Sequence, residues 1–155
     1  MSSDELLRLL TPVMEFCAGK PVDGDLARTL DAAFPADGQA FGAIAAILAQ
    51  GIDDGTLCGK QAGGIWFSRP AKPSDRTFDF SVDVVTYADL AGPHHVHPTG
   101  EIDMIVPVDP AARFDGQGRG WLVYPPGSGH RPTISNGTAI VLYLLPQGAI
   151  QFTSA

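Results

Sequence analysis

From Leu6 to Cys17 the apolar positions Leu6, Leu7, Leu10, Val13, Met14 and Cys17 recur at three- and four-residue spacing. That is the stripe of an amphipathic helix. Ser2 with Glu5 fits a capping box at its start, and Gly19 with Pro21 fits a stop. A second, shorter helix is predicted over 24–34, with Leu26, Leu30, Ala33 and Phe34 as its apolar face and Pro35 at its end. A third is predicted over 39–50. Gly42, Ala43, Ala45, Ala46 and Ala49 make it small-sided and suited to close packing, and Gly51 and Gly55 are expected to break it.

After Cys58 the period changes. Ile65-Trp66-Phe67-Ser68 follows a Gly-Gly pair, and Phe78 to Val84 alternates strictly between apolar and polar, the pattern of a half-buried strand. Glu101 to Val106 alternates in the same way and Pro107 closes it, while Trp121 to Tyr124 is short and β-prone. Asn136-Gly137, between Thr133-Ile134 and the run 138–145, reads as a two-residue hairpin of type I′. Asp115 to Gly120 reads as a longer hairpin loop, and Pro70 to Ser74 as an exposed loop. Short strands with turn signals at near-regular spacing predict a sandwich or barrel. The expected organisation is therefore a helical segment over 1–58 and a β-barrel over 59–155.

Composition narrows the function. The chain has 155 residues, enough to bury a core without staples, and 45% apolar content excludes a disordered chain. Acidic residues outnumber basic ones, 17 to 10. That argues against nucleic acid or an anionic membrane as partner. The helical third carries only Arg8, Lys20 and Arg28, so it offers no basic patch; covering a sheet face or edge is its simplest role. The acidic start, Met-Ser-Ser-Asp-Glu, lacks a secretory n-region. Cys17 and Cys58 lie in or beside apolar patterns and read as buried, reduced thiols. A cytoplasmic location is expected.

The candidate chemistry lies in the histidines. There are four, and three of them, His94, His95 and His97, fall within four residues. On a strand His95 and His97 share one face and His94 points to the other. Glu101 has the parity of His95 and His97, although Pro98-Thr99-Gly100 bends the chain between them. His130 follows the tight turn Pro125-Pro126-Gly127-Ser128-Gly129, which delivers it on a neighbouring strand. Three imidazoles and one carboxylate can bind a divalent transition metal (zinc, iron, nickel or manganese) and leave a coordination position open. A bulge at His94-His95 would exchange His94 for His95 as ligand.

The sequences His95-Val-His97-Pro-Thr-Gly-Glu101 and Pro125-Pro-Gly127-Ser-Gly-His130 resemble the two signature motifs of the cupin superfamily. The glycines that usually bound the first motif are replaced, and Ile134 stands where an Asn often ends the second. The resemblance implies a mainly β fold: a cupin-like double-stranded β-helix barrel, here with an N-terminal helical segment. A longer set of segments is similar to the small bacterial 4-hydroxylaminobenzoate lyase family. These are His94-His-Val-His-Pro-Thr-Gly-Glu-Ile-Asp-Met104, Arg113-Phe-Asp-Gly, Gly129-His-Arg-Pro-Thr133 and Val141-Leu-Tyr-Leu-Leu-Pro146. That resemblance implies conversion of 4-hydroxylaminobenzoate to 3,4-dihydroxybenzoate and ammonium in nitroaromatic breakdown, and a homodimer.

For such a reaction a proton carrier is needed, and Asp103, sharing the parity of Glu101, is the candidate. Glu101 could itself act as a base. The substrate, a small aromatic carboxylate, calls for a guanidinium. Arg131, Arg113, Arg119 and Arg69 are the candidates, Arg131 pointing outward by alternation. Trp66, Trp121, Tyr87 and Tyr124 could flank the ring, and Tyr124 is preferred because it precedes the ligand-bearing turn and carries a hydroxyl. Two other readings stand beside this one. One is a different metal-dependent cupin enzyme, a dioxygenase or an isomerase; the other is a cupin that binds a small ligand without catalysis.

Overall fold

A computed structural model describes residues 3–153. The Ser2–Glu5 capping box lies outside the described residues. The predicted helices form as α1 (Ser3–Cys17), α2 (Gly24–Ala33) and α3 (Gln39–Asp53). The α1 stripe is buried at Leu6, Leu10, Val13, Met14 and Cys17. Helix α2 begins where the Asp23 carboxylate accepts the Leu26 N–H at 3.1 Å, satisfying one of the free donors of a helix start. Helix α3 runs three residues past its expected end, because Gly51 is buried in the helix rather than breaking it.

Ten strands follow among the described residues: β1 (Lys60–Ala62), β2 (Ile65–Ala71), β3 (Phe80–Ala91), β4 (His95–His97), β5 (Glu101–Pro107), β6 (Arg113–Phe114), β7 (Gly120–Tyr124), β8 (Ser128–His130), β9 (Thr133–Pro146) and β10 (Gln151–Phe152). They form a large sheet in the order β1-β2-β3-β9-β5-β7, with β6 also on β9, and a small sheet β10-β4-β8. The small sheet faces the large one where His95, His97 and His130 meet Glu101. The architecture is mainly β, two antiparallel sheets with an N-terminal helical segment.

Alternation sorts the large sheet into two faces. Val82, Val84, Ile102, Met104, Leu142 and Leu144 join Leu6, Leu10, Leu30, Phe41 and Leu48 in one core beneath the helices. Tyr87, Ile105, Phe114, Val141 and Tyr143 form the core on the interior face. A one-residue slip of β3 would exchange Val82 and Val84 for Ser81 and Asp83. Each fully buried aliphatic chain contributes about 1.5–3 kcal/mol, so the helices pin the register that aims Glu101 and Asp103 inward. Trp121 belongs to the helix side. Its ring meets Phe41 edge-on at 5.8 Å and its N–H donates to the Phe34 carbonyl at 2.9 Å.

Several local expectations change. Asn136-Gly137 is a bulge within the continuous strand β9, not a hairpin. Both residues take positive φ, 62° and 119°, as a hairpin would require, but β9 pairs with β3 on either side, Leu90 with Ile134 and Ala88 with Thr138. Asp89 stands opposite the extra residues and accepts the Gly137 N–H. The two-residue turn lies instead at Asp115-Gly116, φ 48° and 79°, where Phe114 and Gln117 exchange both backbone bonds at 2.9 and 2.8 Å. Strand β3 starts at Phe80 because Phe78 and Asp79 are left-handed, after the 3-10 turn Asp75–Thr77. Pro70 and Ala71 belong to β2, at a register irregularity, so the loop begins at Lys72.

Candidate metal centre

Strand β4 carries His95 and His97 with their side chains on one face, both buried. Its partner β8 sets His130 directly opposite His95. The turn before β8 is tied down by the Gly127 N–H on the His97 carbonyl at 2.8 Å. Glu101 opens β5 in the facing sheet, so the carboxylate approaches the imidazoles from across the interior rather than along their own strand. One ligand atom from each of His95, His97, Glu101 and His130 lies within 4.8 Å of the others.

Neighbouring groups orient each imidazole. The Ser128 hydroxyl donates its one hydrogen to the Pro125 carbonyl at 2.6 Å and therefore accepts from His97 Nδ1 at 3.0 Å. This puts the His97 hydrogen on Nδ1 and turns Nε2 inward. His130 Nδ1 meets Asp115 Oδ2 at 2.5 Å, which turns its Nε2 inward too. The same Asp115 oxygen accepts the Tyr124 hydroxyl, and the other oxygen takes the Thr133 N–H at 2.9 Å. Carboxylate and hydroxyl partners of this kind orient metal-ligating histidines.

The donor set fits a transition-metal ion. His97 Nε2 and Glu101 Oε2 are buried with no hydrogen-bond partner among the described residues, a costly condition unless something binds them. The three Nε2 atoms lie 3.3, 3.1 and 3.5 Å from Glu101 oxygens, and His95 and His130 Nε2 are 3.1 Å apart. Ligands about 2.1 Å from one ion stand about 3.0–3.4 Å apart. Burial opposes the charge on Glu101, yet the imidazoles of His130, His95 and His97 gathered around it hold it well below the usual carboxylate range. His130 is likewise opposed by burial, but Asp115 and Glu101 raise it to about 9. Asp103, on the same face two residues on, is fully buried. Burial, then the Glu101 charge, push it well above the usual range, and neither of its oxygens has a hydrogen-bond partner among the described residues.

A cavity of about 440 Å³ lies beside the cluster, with His95 in its wall. The candidates named from sequence separate here. His94 lies outside the cluster, its Nδ1 bonded to the Thr153 hydroxyl; no bulge exchanges it with His95. Arg69 lines the cavity, and Arg113, Arg119 and Arg131 do not. Arg113 donates to the Pro110 and Ala112 carbonyls, and Arg119 to that of Ala36 beside the helices. Tyr87 is on the cavity wall. Tyr124 stacks against His130 and His97, ring centres 4.5 and 5.4 Å away. Trp121 is beneath the helices, and Trp66 is 49% exposed and off the wall. Asp115, Ser128 and Tyr143 are absent from the sequence-derived candidates. Asp-Gly after Arg113-Phe114 signals only a turn; nothing local aims its carboxylate at a histidine fifteen residues on.

Fold and site together define a mainly β protein with a three-histidine, one-glutamate candidate metal centre. The family is narrower: residues 8–152 match the family model "PnbB: 4-hydroxylaminobenzoate lyase", and the chain belongs to that family. The 4-hydroxylaminobenzoate lyase of Pseudomonas putida is 29% identical, covering 96% of this chain and 94% of its own. That of Nocardioides sp. (strain LMS-CY) is 28% identical, covering 96% and 93%. Among solved structures, an RmlC-like cupin protein from Ralstonia eutropha JMP134 is similar over 60% of this chain and 62% of its own, with 12% identity and a TM-score of 0.46. Both cysteines are free and buried, and burial raises Cys17 to about 12 and Cys58 to about 11. Among the described residues no helix is long and apolar enough to cross a membrane.

Proposed function

We propose that this chain is a metal-dependent lyase converting 4-hydroxylaminobenzoate to 3,4-dihydroxybenzoate and ammonium, a step of nitroaromatic breakdown. The observation that carries the reading is the junction of cluster and cavity: His95 belongs to both. A small aromatic acid in the cavity would have one end against the metal ligands. The volume of about 440 Å³ is in the range of small-molecule sites.

The reaction consumes one water and releases the nitrogen as ammonium, so protons must reach the departing oxygen and nitrogen. His95, His97, Glu101 and His130 would hold a divalent transition ion, which supplies Lewis-acid polarisation of an oxygen and acidification of water. Burial, then the Glu101 anion, favour the protonated form of Asp103, so we assign it the role of proton carrier. It can share that proton with Glu101, which carries the same-face carboxylate. We assign Tyr124 to holding Asp115 and packing against His97 and His130, since its hydroxyl hydrogen goes to Asp115.

Elemental analysis of the purified protein, and turnover of 4-hydroxylaminobenzoate with and without a chelator, test this reading. Bound metal with chelator-sensitive turnover is expected. Turnover that survives complete metal removal would end the metal-dependent reading. Asp103→Asn keeps the shape and a hydrogen-bond donor but has no proton to transfer. It should retain metal and lose about 10²–10⁴-fold in rate; an unchanged rate would remove Asp103 from proton transfer.

A further inference from the structure

The cavity wall is apolar except at a few points. Lys60, Arg69 and Asp83 line it together with His95 and Tyr143. Two cations thus face one carboxylate, which leaves a positive charge for a ligand to meet. Arg69 is oriented rather than loose. Its Nε–H donates to Asp83 Oδ1 at 2.6 Å and its Nη2 to the Gly148 carbonyl at 3.4 Å. Asp83 is fixed in turn by the Ser81 hydroxyl at 2.6 Å. A guanidinium has five N–H donors, so donors on the Nη side remain for a ligand, in the geometry that matches a carboxylate.

Position agrees with chemistry. Asp83 is paired across the sheet with Tyr143, and Tyr143 with Asp103 on the strand that carries Glu101. From β2, which carries Arg69, to β5 there are three strand spacings, about 14 Å at about 4.8 Å each. Tyr143, on β9, is on the cavity wall, two spacings from β2 and one from β5. Arg69 and His95 both line this cavity, so the two ends of a para-substituted benzene ring each have a partner in it.

We propose that Arg69 is the carboxylate anchor of this cavity. Its Nη donors take the carboxylate of a para-substituted benzoate, Asp83 holds the guanidinium in place, and the ring crosses Tyr143 toward His95. The proposal rests on the reading of the substrate as an aromatic acid and adds the residue that selects it.

Calorimetric titration with 4-aminobenzoate, which has the carboxylate but no N–O bond to break, tests it on the metal-loaded protein. Arg69→Gln should weaken binding about 10–100-fold. Arg69→Lys, which keeps a cation beside Asp83 but lacks the paired donors, should weaken it several-fold. Aniline, with no carboxylate, should bind the wild type and Arg69→Gln alike, which a merely structural role for Arg69 would not produce. Unchanged 4-aminobenzoate affinity in Arg69→Gln, a loss borne by Lys60→Gln instead, or no binding to the wild type overturns the proposal. If Arg69→Gln does not fold, unchanged affinity in Arg69→Lys overturns it. A wild type that binds 4-aminobenzoate through Arg69 yet does not turn over 4-hydroxylaminobenzoate sinks the lyase reading and leaves the anchor standing.

Discussion

Asp115 accepts hydrogen bonds from His130, Tyr124 and the Thr133 backbone with its two oxygens. Burial opposes its charge, but His130, Tyr124 and Thr133 hold its pKa below the ordinary value. Its anion therefore does two things: it keeps a hydrogen on His130 Nδ1 and it locks the ring toward the cluster. Asp115→Ala removes both and should weaken metal binding about 10–100-fold, measured by competition with a chromogenic chelator. Asp115→Asn, which still offers an acceptor, should recover part of the loss. Equal affinity in all three proteins would mean that packing alone orients His130. The histidines themselves were legible in the sequence, because a His-x-His pair, a Glu four residues on and a lone His after a Gly-rich turn form one set. Asp115 was not: its role exists only where β6, β7, β8 and β9 converge.

At the scale of elements, the passage from β4 to β5 decides the site. The chain leaves the small sheet at His97 and enters the large sheet at Glu101, turning at Gly100 with φ +91°. A Cβ there would lie 2.6 Å from Val22 Cγ1 and 3.0 Å from the Tyr124 carbonyl. Only glycine fits both the dihedral and the space. Gly100→Ala should destabilise the protein by about 2–4 kcal/mol in urea unfolding and lower metal content, since Glu101 is the next residue. A variant as stable as the wild type would show that the Val22 segment gives way freely. The Asn136-Gly137 bulge teaches a related lesson. Two residues with hairpin chemistry make a bulge when a long partner strand, β3, stays paired on both sides. Sequence periodicity sees the turn residues but not the strand opposite.

At the scale of the molecule, the buried charges make stability depend on pH and on metal. In the metal-free protein His130 stands at about 9 against an ordinary 6.5. A raised value means that its contribution is fully present below about 6.5 and is lost as pH rises through about 9. Asp103, also raised, likewise favours the folded state while protonated and opposes it as pH climbs. Glu101 and Asp115 are depressed, so their contribution is present above the ordinary carboxylate range and is lost as pH falls through their lowered values. The chelated protein should therefore lose melting temperature between pH 6.5 and 9. The metal-loaded protein should not, because a proton on His130 competes with the ion and vanishes as pH rises. Thermal melts across that window, with and without chelator, check this; a flat chelated curve would mean that His130 is uncharged in the fold.

The sequence by itself determined the helices, most strands, the apolar stripes that build the core and, of the candidate metal centre, His97, Glu101 and His130, with His95 or His94 as the fourth residue. These follow from local periodicity and from residue types with few alternative uses. Only the tertiary structure decided that Glu101 meets the histidines from the opposite sheet and that His94 is excluded. It likewise decided that Trp121 serves the helices and that Arg69, rather than the arginines nearer the motifs, reaches the cavity. Each of these depends on which strands become neighbours. Strand pairing joins residues far apart in the chain, and no local pattern records it.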